Sequence, residues 1–135
     1  MIRDRVKEYF IDKDYNCAES LLRAANDEYE LQIPEESFKL VSAFGAGMGC
    51  GKVCGALCSC MAVIGKMSVT DRAHATEGFT DLCADLYDKF VRSLGNTICE
   101  DLKKLYRNDE VRCLKAVEMA ADVLDNFIAA NNLSR

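Results

Sequence analysis

Proline, histidine and strand-like patterns are all scarce in this sequence. The 135 residues include one proline, Pro34, and one histidine, His74. The single proline and the lack of sustained apolar–polar alternation disfavour sheets and favour packed helices. His74 has no neighbouring ligand motif, so we expect it on the surface rather than at a metal.

Concentrated positive charge and long apolar runs are also missing. Lysine and arginine are scattered along a chain of formal net charge −5, which argues against a nucleic-acid partner. No apolar run approaches the roughly 20 residues that span a bilayer, so no membrane partner is expected. The first ten residues, MIRDRVKEYF, are too charged for a signal peptide. We therefore expect a cytoplasmic protein.

Cysteine, by contrast, is abundant, because the chain has eight. In the cytoplasm, glutathione and thioredoxin keep ordinary thiols reduced. Many cysteines in a chain of that compartment are typical of metal-binding or catalytic proteins rather than of disulfide-stabilised scaffolds. The cysteines are therefore the first candidates for function.

Half of the cysteines lie in one glycine-rich stretch, residues 44–65, which reads FGAGMGCGKVCGALCSCMAVIG. Four of its glycines occupy alternate positions: Gly45, Gly47, Gly49 and Gly51. Glycine inside a helix or strand costs about 0.5 to 1 kcal/mol relative to alanine. This spacing predicts a loop whose backbone bends sharply or approaches another group closely.

A central helix is predicted directly after this glycine loop, over residues 52–64. The segment lacks proline, is rich in Ala, Leu and Met, and is followed by Gly65, a typical helix stop. The candidate cofactor-binding residues are those of the loop: Gly47, Gly49, Gly51 and Cys50.

The glycine loop does not match the common phosphate-binding motifs. When the P-loop pattern is aligned on Gly51 and Lys52, Ala46 stands at its first glycine and Val53 at its hydroxyl position. The dinucleotide pattern GxGxxG has no register here, and no strand–helix–strand unit follows. Nucleotide binding is therefore not expected.

Helical periodicity continues through the rest of the chain. We predict an all-α fold, a compact bundle of about six to seven helices in a single domain over residues 1–135. Besides the central helix, the predicted helices cover 2–11, 17–29, 34–43, a segment from Thr70 or Asp71 to 94, a short helix from 98, and a last helix to 128. Capping-box patterns are formed by Asn16 with Glu19 and by Thr97 with Glu100, and Asn108 is expected to cap the last helix.

Four cysteines fall at or near predicted helix N-termini: Cys17, Cys54, Cys99 and Cys113. Unpaired backbone N–H groups and the positive end of the helix dipole favour negative charge there. A thiol in that position is expected to have a lowered pKa and more thiolate, the form that attacks disulfides and binds metals. If the four helix starts converge, they form an electropositive pocket for thiolates, a metal or an anionic ligand.

The cysteine and glycine pattern resembles a known family, the redox-active proteins named for the motif C-GCAxxG-C-C. The matching segments are Asn16-Cys17-Ala18, Val53-Cys54-Gly55-Ala56-Leu57, Gly95 with Ile98-Cys99, and Cys113. The resemblance spans about residues 3–130 and implies a small helical domain with a redox role for the four cysteines at helix starts. The chain departs from the family pattern at Cys50, Cys58, Cys60 and Leu114.

Thiol redox chemistry is the first of three functions that we weigh. In it, Cys54 and Cys17 attack and resolve a disulfide, and Cys99 and Cys113 form a second pair. We expect disulfide partners from different helices, because thiols four residues apart on one helix hold their Cβ atoms about 5 to 6 Å apart. Such an oxidoreductase would need an electron donor or protein partner that the sequence does not identify. Whether the chain forms a homo-oligomer stays open.

The other two functions use the same residues differently. Zinc or an iron–sulfur cluster could be bound by Cys17, Cys54, Cys99 and Cys113, although neither zinc-knuckle nor ferredoxin spacing occurs. Alternatively, the chain is a helical interaction module with passive cysteines, because free cysteine often packs as a small hydrophobic residue. Cys83, on an apolar helix stripe, is the clearest candidate for that passive role. Passive packing is also the favoured interpretation of Cys58 and Cys60.

Overall fold

Helices account for the regular structure of residues 1–134, which the computed structural model describes. The α-helices are α1 (Arg3–Lys7), α2 (Cys17–Tyr29), α3 (Gly55–Ser68), α4 (Phe79–Leu94), α5 (Cys99–Tyr106) and α6 (Leu114–Ala130). Segments of 3₁₀-helix cover Glu35–Phe44 and Ala73–Ala75, and a π-helical turn covers Glu8–Asp12. Gly47–Gly51 is a loop, because the backbone angles of Met48, Gly49 and Cys50 are not helical. Within residues 1–134 there is no strand, only two isolated bridge pairs. The predicted all-α fold is confirmed.

The centre of the fold is the packing of α2 on α3, with α6 lying against α1, α3 and α4. Each of α2, α3, α4 and α6 contributes a completely buried side chain to one connected apolar core: Leu21, Ile64, Phe90 and Leu124. Small residues allow the α2–α3 contact to be close. The buried Ser59 hydroxyl, for example, donates a hydrogen bond of 2.6 Å to the Ala18 carbonyl.

The start of α2 confirms the predicted capping box. The amide of Glu19 donates to Asn16 Oδ1 at 2.9 Å, and the amide of Asn16 donates to the Glu19 carboxylate at 3.1 Å. Asn16 Nδ2 also donates to the Ser42 carbonyl at 2.9 Å, which ties the start of α2 to the segment before the glycine loop. Cys17 is therefore held as the first residue of α2.

The central helix differs from its prediction at both ends. It begins at Gly55 rather than at residue 52, because Val53 pairs with Ile98 in an antiparallel bridge and is extended. It continues past Gly65 to Ser68, with the amide of Val69 bonded to the Gly65 carbonyl at 3.0 Å. Gly65 is thus an interior helix residue and not a stop.

Other helix boundaries also shift. Predicted helix 34–43 is a 3₁₀ segment, Glu35–Phe44, and Pro34 precedes it in extended conformation. Helix α4 starts only at Phe79, because Gly78 lies in the left-handed region with φ +74°, but it ends at Gly95 as predicted. His74, in the short Ala73–Ala75 turn, is exposed as expected.

Two of the predicted caps are wrong. The Thr97–Glu100 box does not form, because Asn96 Oδ1 accepts from the amides of Thr97 and Ile98 at 2.7 and 2.9 Å. Asn108 does not begin the last helix.

Asn108 instead organises a turn ahead of α6. Its side-chain oxygen accepts from the amides of Glu110 and Val111 at 3.0 and 2.8 Å. Helix α6 therefore begins at Leu114, directly after Cys113. None of the helices in the described part of the chain is long and apolar enough to cross a bilayer.

Candidate functional site

Four cysteines occupy the starts of four different α-helices, as the sequence predicts. Cys17 and Cys99 are the first residues of α2 and α5. Cys54 and Cys113 directly precede α3 and α6 as their N-terminal flanking residues. The backbone N–H groups of four helix ends are therefore available to these thiols.

The four helix starts converge on one small cavity of about 30 Å³, called the inner cavity below. Its lining consists of Cys17, Cys54, Cys99, Cys113, Leu102, Lys103, Ala116 and Val117. Cys54 and Cys99 are buried, at 7% and 9% exposure, whereas Cys17 and Cys113 are half-buried. Residues far apart in the chain are thus gathered around a single apolar space.

An isolated backbone bridge brings two of these cysteines together. Val53 and Ile98 pair in antiparallel fashion, and the residues that follow them are Cys54 and Cys99. The amide of Cys54 donates to the Thr97 carbonyl at 2.8 Å, and the amide of Cys99 donates to the Lys52 carbonyl at 2.5 Å. Sequence analysis missed this bridge, because a single residue pair leaves no alternating pattern.

Two glycines make room for the thiols. A Cβ atom added to Gly47 would lie 2.6 Å from the Cβ of Cys99 and 2.5 Å from the amide nitrogen of Lys52. A Cβ atom added to Gly55 would lie 2.8 Å from Cys17 Sγ. The close approach predicted for the glycine loop is therefore an approach to Cys99.

The rest of the glycine loop faces away from the inner cavity. Gly47, Gly49 and Gly51 all lie in the left-handed region, with φ of +59°, +71° and +77°. Nothing lies within 4 Å of a Cβ added to Gly49, and one added to Gly51 would meet the side chain of Glu100. Cys50 is exposed, and its thiol lies 3.5 Å from the Gly47 carbonyl. The cofactor-binding role of Gly47, Gly49, Gly51 and Cys50 stays a prediction.

Cys50, Cys54 and Cys58 follow each other at four-residue intervals but do not share the face of one helix. Cys50 belongs to the loop Gly47–Gly51, and Cys54 precedes the first residue of α3. Only Cys58 lies inside that helix. The extended residues around Val53 separate the loop from the helix, so these thiols do not form a helical row.

Burial reverses the predicted lowering of the thiol pKa values. Desolvation raises the pKa of Cys54 to about 12 and also raises the pKa values of Cys17 and Cys113. The helix-start effect is present, because the backbone amides of Ala18 in α2 and of Leu57 in α3 favour the thiolates of Cys17 and Cys54 respectively, and the amide of Ala46 in the glycine loop adds to the effect at Cys17. It is smaller than the cost of placing a charge in an apolar cavity.

A larger pocket of about 200 Å³, the outer pocket, adjoins the same thiols. Its lining consists of Phe10, Asn16, Cys17, Ala46, Cys99, Lys103, Arg107, Arg112 and Cys113. Cys54 does not line it. Lys103, Arg107 and Arg112 favour the thiolate of Cys113 and so oppose the effect of burial on its pKa.

Residues 15–127 match the profile of the family described as "Putative redox-active protein (C_GCAxxG_C_C)". The chain belongs to this family. The matched segment contains the glycine loop and all four cysteines of the inner cavity, and the family description supports a redox role in general terms. No curated protein and no solved structure shows significant similarity to the chain.

This member of the C_GCAxxG_C_C family has four further cysteines outside the inner cavity. Cys60 is completely buried, and its thiol donates to the Ala120 carbonyl at a sulfur–oxygen distance of 3.8 Å. Cys83 is half-buried against the apolar core, and Cys58 is also half-buried. Packing alone accounts for Cys60 and Cys83.

No disulfide joins any of the eight cysteines of this family member in the structure. Among residues 1–134, no three or more Cys, His, Asp or Glu side chains are grouped so that they could hold a metal ion. The binding of a metal by the four cavity cysteines stays a prediction. What the arrangement offers chemically is several thiols within one pocket.

Proposed function

We propose that the protein is a thiol–disulfide redox protein whose cavity cysteines cycle between dithiol and disulfide. The observation that carries this proposal is the convergence of four thiols, from the starts of four helices, on a cavity of about 30 Å³. Disulfides form between residues brought close from different elements. The membership of a family described as redox-active supports the same function.

The thiols divide into an outer and an inner pair. The outer pair is Cys113 with Cys99, which line both the outer pocket and the inner cavity, as Cys17 also does; of the four cavity cysteines only Cys54 is absent from the lining of the outer pocket. Negative charge on Cys99 raises the pKa of Cys113, which reflects their proximity. The inner pair is Cys54 with Cys17, whose charge raises the pKa of Cys54 in the same way.

Cys113 is best placed to attack a substrate disulfide. It is half-buried at the outer pocket, and three cations there favour its thiolate. Cys54, expected from the sequence to attack first, is 7% exposed and has a pKa of about 12. At neutral pH almost none of the Cys54 thiol is ionised. We therefore assign Cys54 to the inner pair, which does not attack the substrate in the first step.

The reaction then needs two exchanges. The Cys113 thiolate attacks one sulfur of a substrate disulfide, which forms a mixed disulfide and releases one substrate thiolate. The Cys99 thiolate next attacks Cys113 Sγ, which releases the second substrate thiolate and leaves a Cys99–Cys113 disulfide. Two electrons pass from the protein to the substrate, and the two protons lost by the cysteines go to the two released thiols.

A thiol titration with matched variants tests this proposal. Protein treated with a mild disulfide oxidant should lose two or four of its eight thiols in pairs. The Cys113→Ser variant should lose the paired oxidation at the outer pocket, whereas Cys83→Ser, outside the cavity, should behave as the parent. An unchanged thiol titre, or equal losses in both variants, would contradict the proposal.

Metal binding by the same four cysteines is the alternative that this experiment must exclude. Elemental analysis of protein purified without oxygen decides it, because a bound metal would be stoichiometric and a chelator would lower the stability. Our proposal expects no stoichiometric iron or zinc. Finding either would make the cavity cysteines ligands rather than a redox pair.

A further inference from the structure

Helix α5 carries a positively charged side chain, Lys103, near the outer pair. Cys99 and Lys103 are four residues apart in α5, a spacing that places their side chains on one face of the helix, and Arg107 directly follows its last residue. All three line the outer pocket. The face of α5 that supplies a thiol therefore also supplies positive charge.

Lys103 is the most available of these charges. It lines the inner cavity and the outer pocket, and within residues 1–134 no ion pair or hydrogen bond of its ammonium group is found. Its neighbour Lys104 lines neither space and lies 3.9 Å from Asp101. Since a lysine without a carboxylate partner is free to bind an anion, Lys103 is the residue to test.

Arg112 is held at the other side of the outer pocket. Its guanidinium donates to the Phe10 carbonyl at 2.6 Å and to Asp14 at 3.2 Å, and it lies over the Phe10 ring at 4.6 Å. Arg107 makes only a long contact, of 3.4 Å, with the fully exposed Asp109. The positions of these cations are thus set by contacts of the protein with itself.

The charge of the outer pocket contrasts with that of the whole chain. The protein has a net charge of −5, yet the lining of this pocket includes three cations and no Asp or Glu. A pocket lined by one sign of charge raises the local concentration of ligands with the opposite sign. The local field at Cys113 therefore favours anions even though the protein as a whole repels them.

We propose that the outer pocket selects low-molecular-weight disulfides whose substituents carry carboxylates, that Lys103 binds those carboxylates, and that Arg107 and Arg112 add to the positive charge of the pocket. This inference rests on the proposed function and names its substrate class. The anionic disulfide is the oxidant in the two exchanges of the proposed function. It is reduced to two thiols, and Cys99 and Cys113 are oxidised to a disulfide.

The size of the pocket favours a small substrate. Its volume of about 200 Å³ is below the usual range of roughly 300 to 1,000 Å³ for sites that enclose drug-sized ligands. It has room for one short thiol substituent beside Cys113, with the rest of the disulfide outside. A folded protein substrate would have to present its disulfide on a narrow, acidic projection.

Three disulfides of matched size and different charge provide the test: dithiodiglycolate (anionic), hydroxyethyl disulfide (neutral) and cystamine (cationic). The readout is the rate at which the Cys99–Cys113 cross-linked peptide appears in the full-length protein, measured by mass spectrometry. For each disulfide, the rate of the parent is divided by the rate of Lys103→Gln. This ratio cancels the intrinsic reactivity of each disulfide.

Lys103→Gln also reduces the thiolate fraction of Cys113, but that effect is the same for all three disulfides. We therefore expect the ratio for dithiodiglycolate to exceed the ratio for hydroxyethyl disulfide by about three- to tenfold, and the ratio for cystamine to be the smallest. The differences should shrink in about 1 M salt, where the Debye length is about 3 Å. The matched control Lys104→Gln should give the same ratio for all three.

Equal ratios for the three disulfides in Lys103→Gln would overturn the inference of anion selection. If hydroxyethyl disulfide forms the Cys99–Cys113 peptide without any charge preference, the proposed function stands and only the substrate class is wrong. If none of the three disulfides forms that peptide in the parent protein, the proposed function itself fails.

Discussion

Val53 and Ile98 form an isolated antiparallel bridge, and each is followed by a cysteine that starts a helix. The bridge turns Cys54 and Cys99 toward the same cavity, although 45 positions separate them in the chain. The Val53–Ile98 pair thus brings together Cys54 at the start of α3 and Cys99 at the start of α5.

Gly47 is expected to be essential for placing Cys99. In Gly47→Ala the new methyl group would lie 2.6 Å from the Cβ of Cys99, and φ is +59°. We expect a loss in the free energy of unfolding of about 2 to 4 kcal/mol, from the clash and the strained backbone together. Gly49→Ala has the same kind of φ, +71°, but nothing within 4 Å, so it should lose only about 1 to 2 kcal/mol. Urea denaturation of both variants measures the difference, and equal losses would contradict the described contact.

Gly55 and Gly65, both in α3, should respond to alanine with opposite signs. A methyl group at Gly55 would lie 2.6 Å from the Phe44 carbonyl oxygen and 2.8 Å from Cys17 Sγ. Gly65 has only the Phe79 ring at 4.0 Å. Gly55→Ala should therefore destabilise the protein, whereas Gly65→Ala should stabilise it by about 0.5 to 1 kcal/mol through higher helix propensity. Thermal unfolding of the two variants is the measurement, and stabilisation by Gly55→Ala would show that α3 does not start against Cys17.

Asn16 should stabilise the start of α2 in two ways, by capping and through its bond to Ser42. Asn16→Ala removes both contacts and is expected to cost about 1 to 2 kcal/mol of unfolding free energy. Asn16→Asp retains the acceptor for the Glu19 amide but loses the donor to Ser42, so its cost should be smaller. Denaturation curves rank the variants. A cost for Asn16→Asp as large as that for Asn16→Ala would mean that the cap contributes little.

Alkaline pH should destabilise the protein through its buried thiols. The pKa of Cys54 is about 12 in the fold and near its ordinary value of 9.0 in the unfolded chain. Between these values the unfolded state binds fewer protons, so the free energy of unfolding falls as pH rises from about 9 towards 12. Tyr9, whose pKa is also raised to about 12, adds to the decrease.

The contribution of Cys54 is separable from that of Tyr9 by substitution. Denaturation at several pH values should show a flatter alkaline decline in Cys54→Ala than in the parent, and a parallel flattening in Tyr9→Phe. A decline of equal slope in the parent and in Cys54→Ala would mean that the Cys54 thiol is not desolvated in the fold.

Local signals predicted the all-α fold and the position of the four cysteines at helix starts, but not all of the helix ends. The capping box of Asn16 with Glu19 forms as predicted, since both partners are within four residues and need no tertiary contact. The same local reasoning failed at Asn108, whose side chain can cap a helix or close a turn. There the distant contacts of Arg112 with Phe10 and Asp14 accompany the turn, and no local pattern encodes them.

The electrostatics of the site depend on tertiary structure even more strongly. A helix start lowers a thiol pKa, but the burial of Cys54 raises its pKa by more than the helix start lowers it. This burial was not evident from the position of Cys54 in the sequence. The basic lining was equally hidden, because Lys103, Arg107 and Arg112 are dispersed among acidic residues in the sequence. Their common pocket exists only once α5 and the turn before α6 meet.

Peptide mapping after oxidation with hydroxyethyl disulfide tests whether Cys113 and Cys99 are the pair that exchanges with a substrate disulfide. We predict a Cys99–Cys113 cross-link, and in Cys99→Ser a mixed disulfide that persists on Cys113. Oxidation confined to the exposed Cys50, or a mixed disulfide on any cysteine other than Cys113, would contradict it.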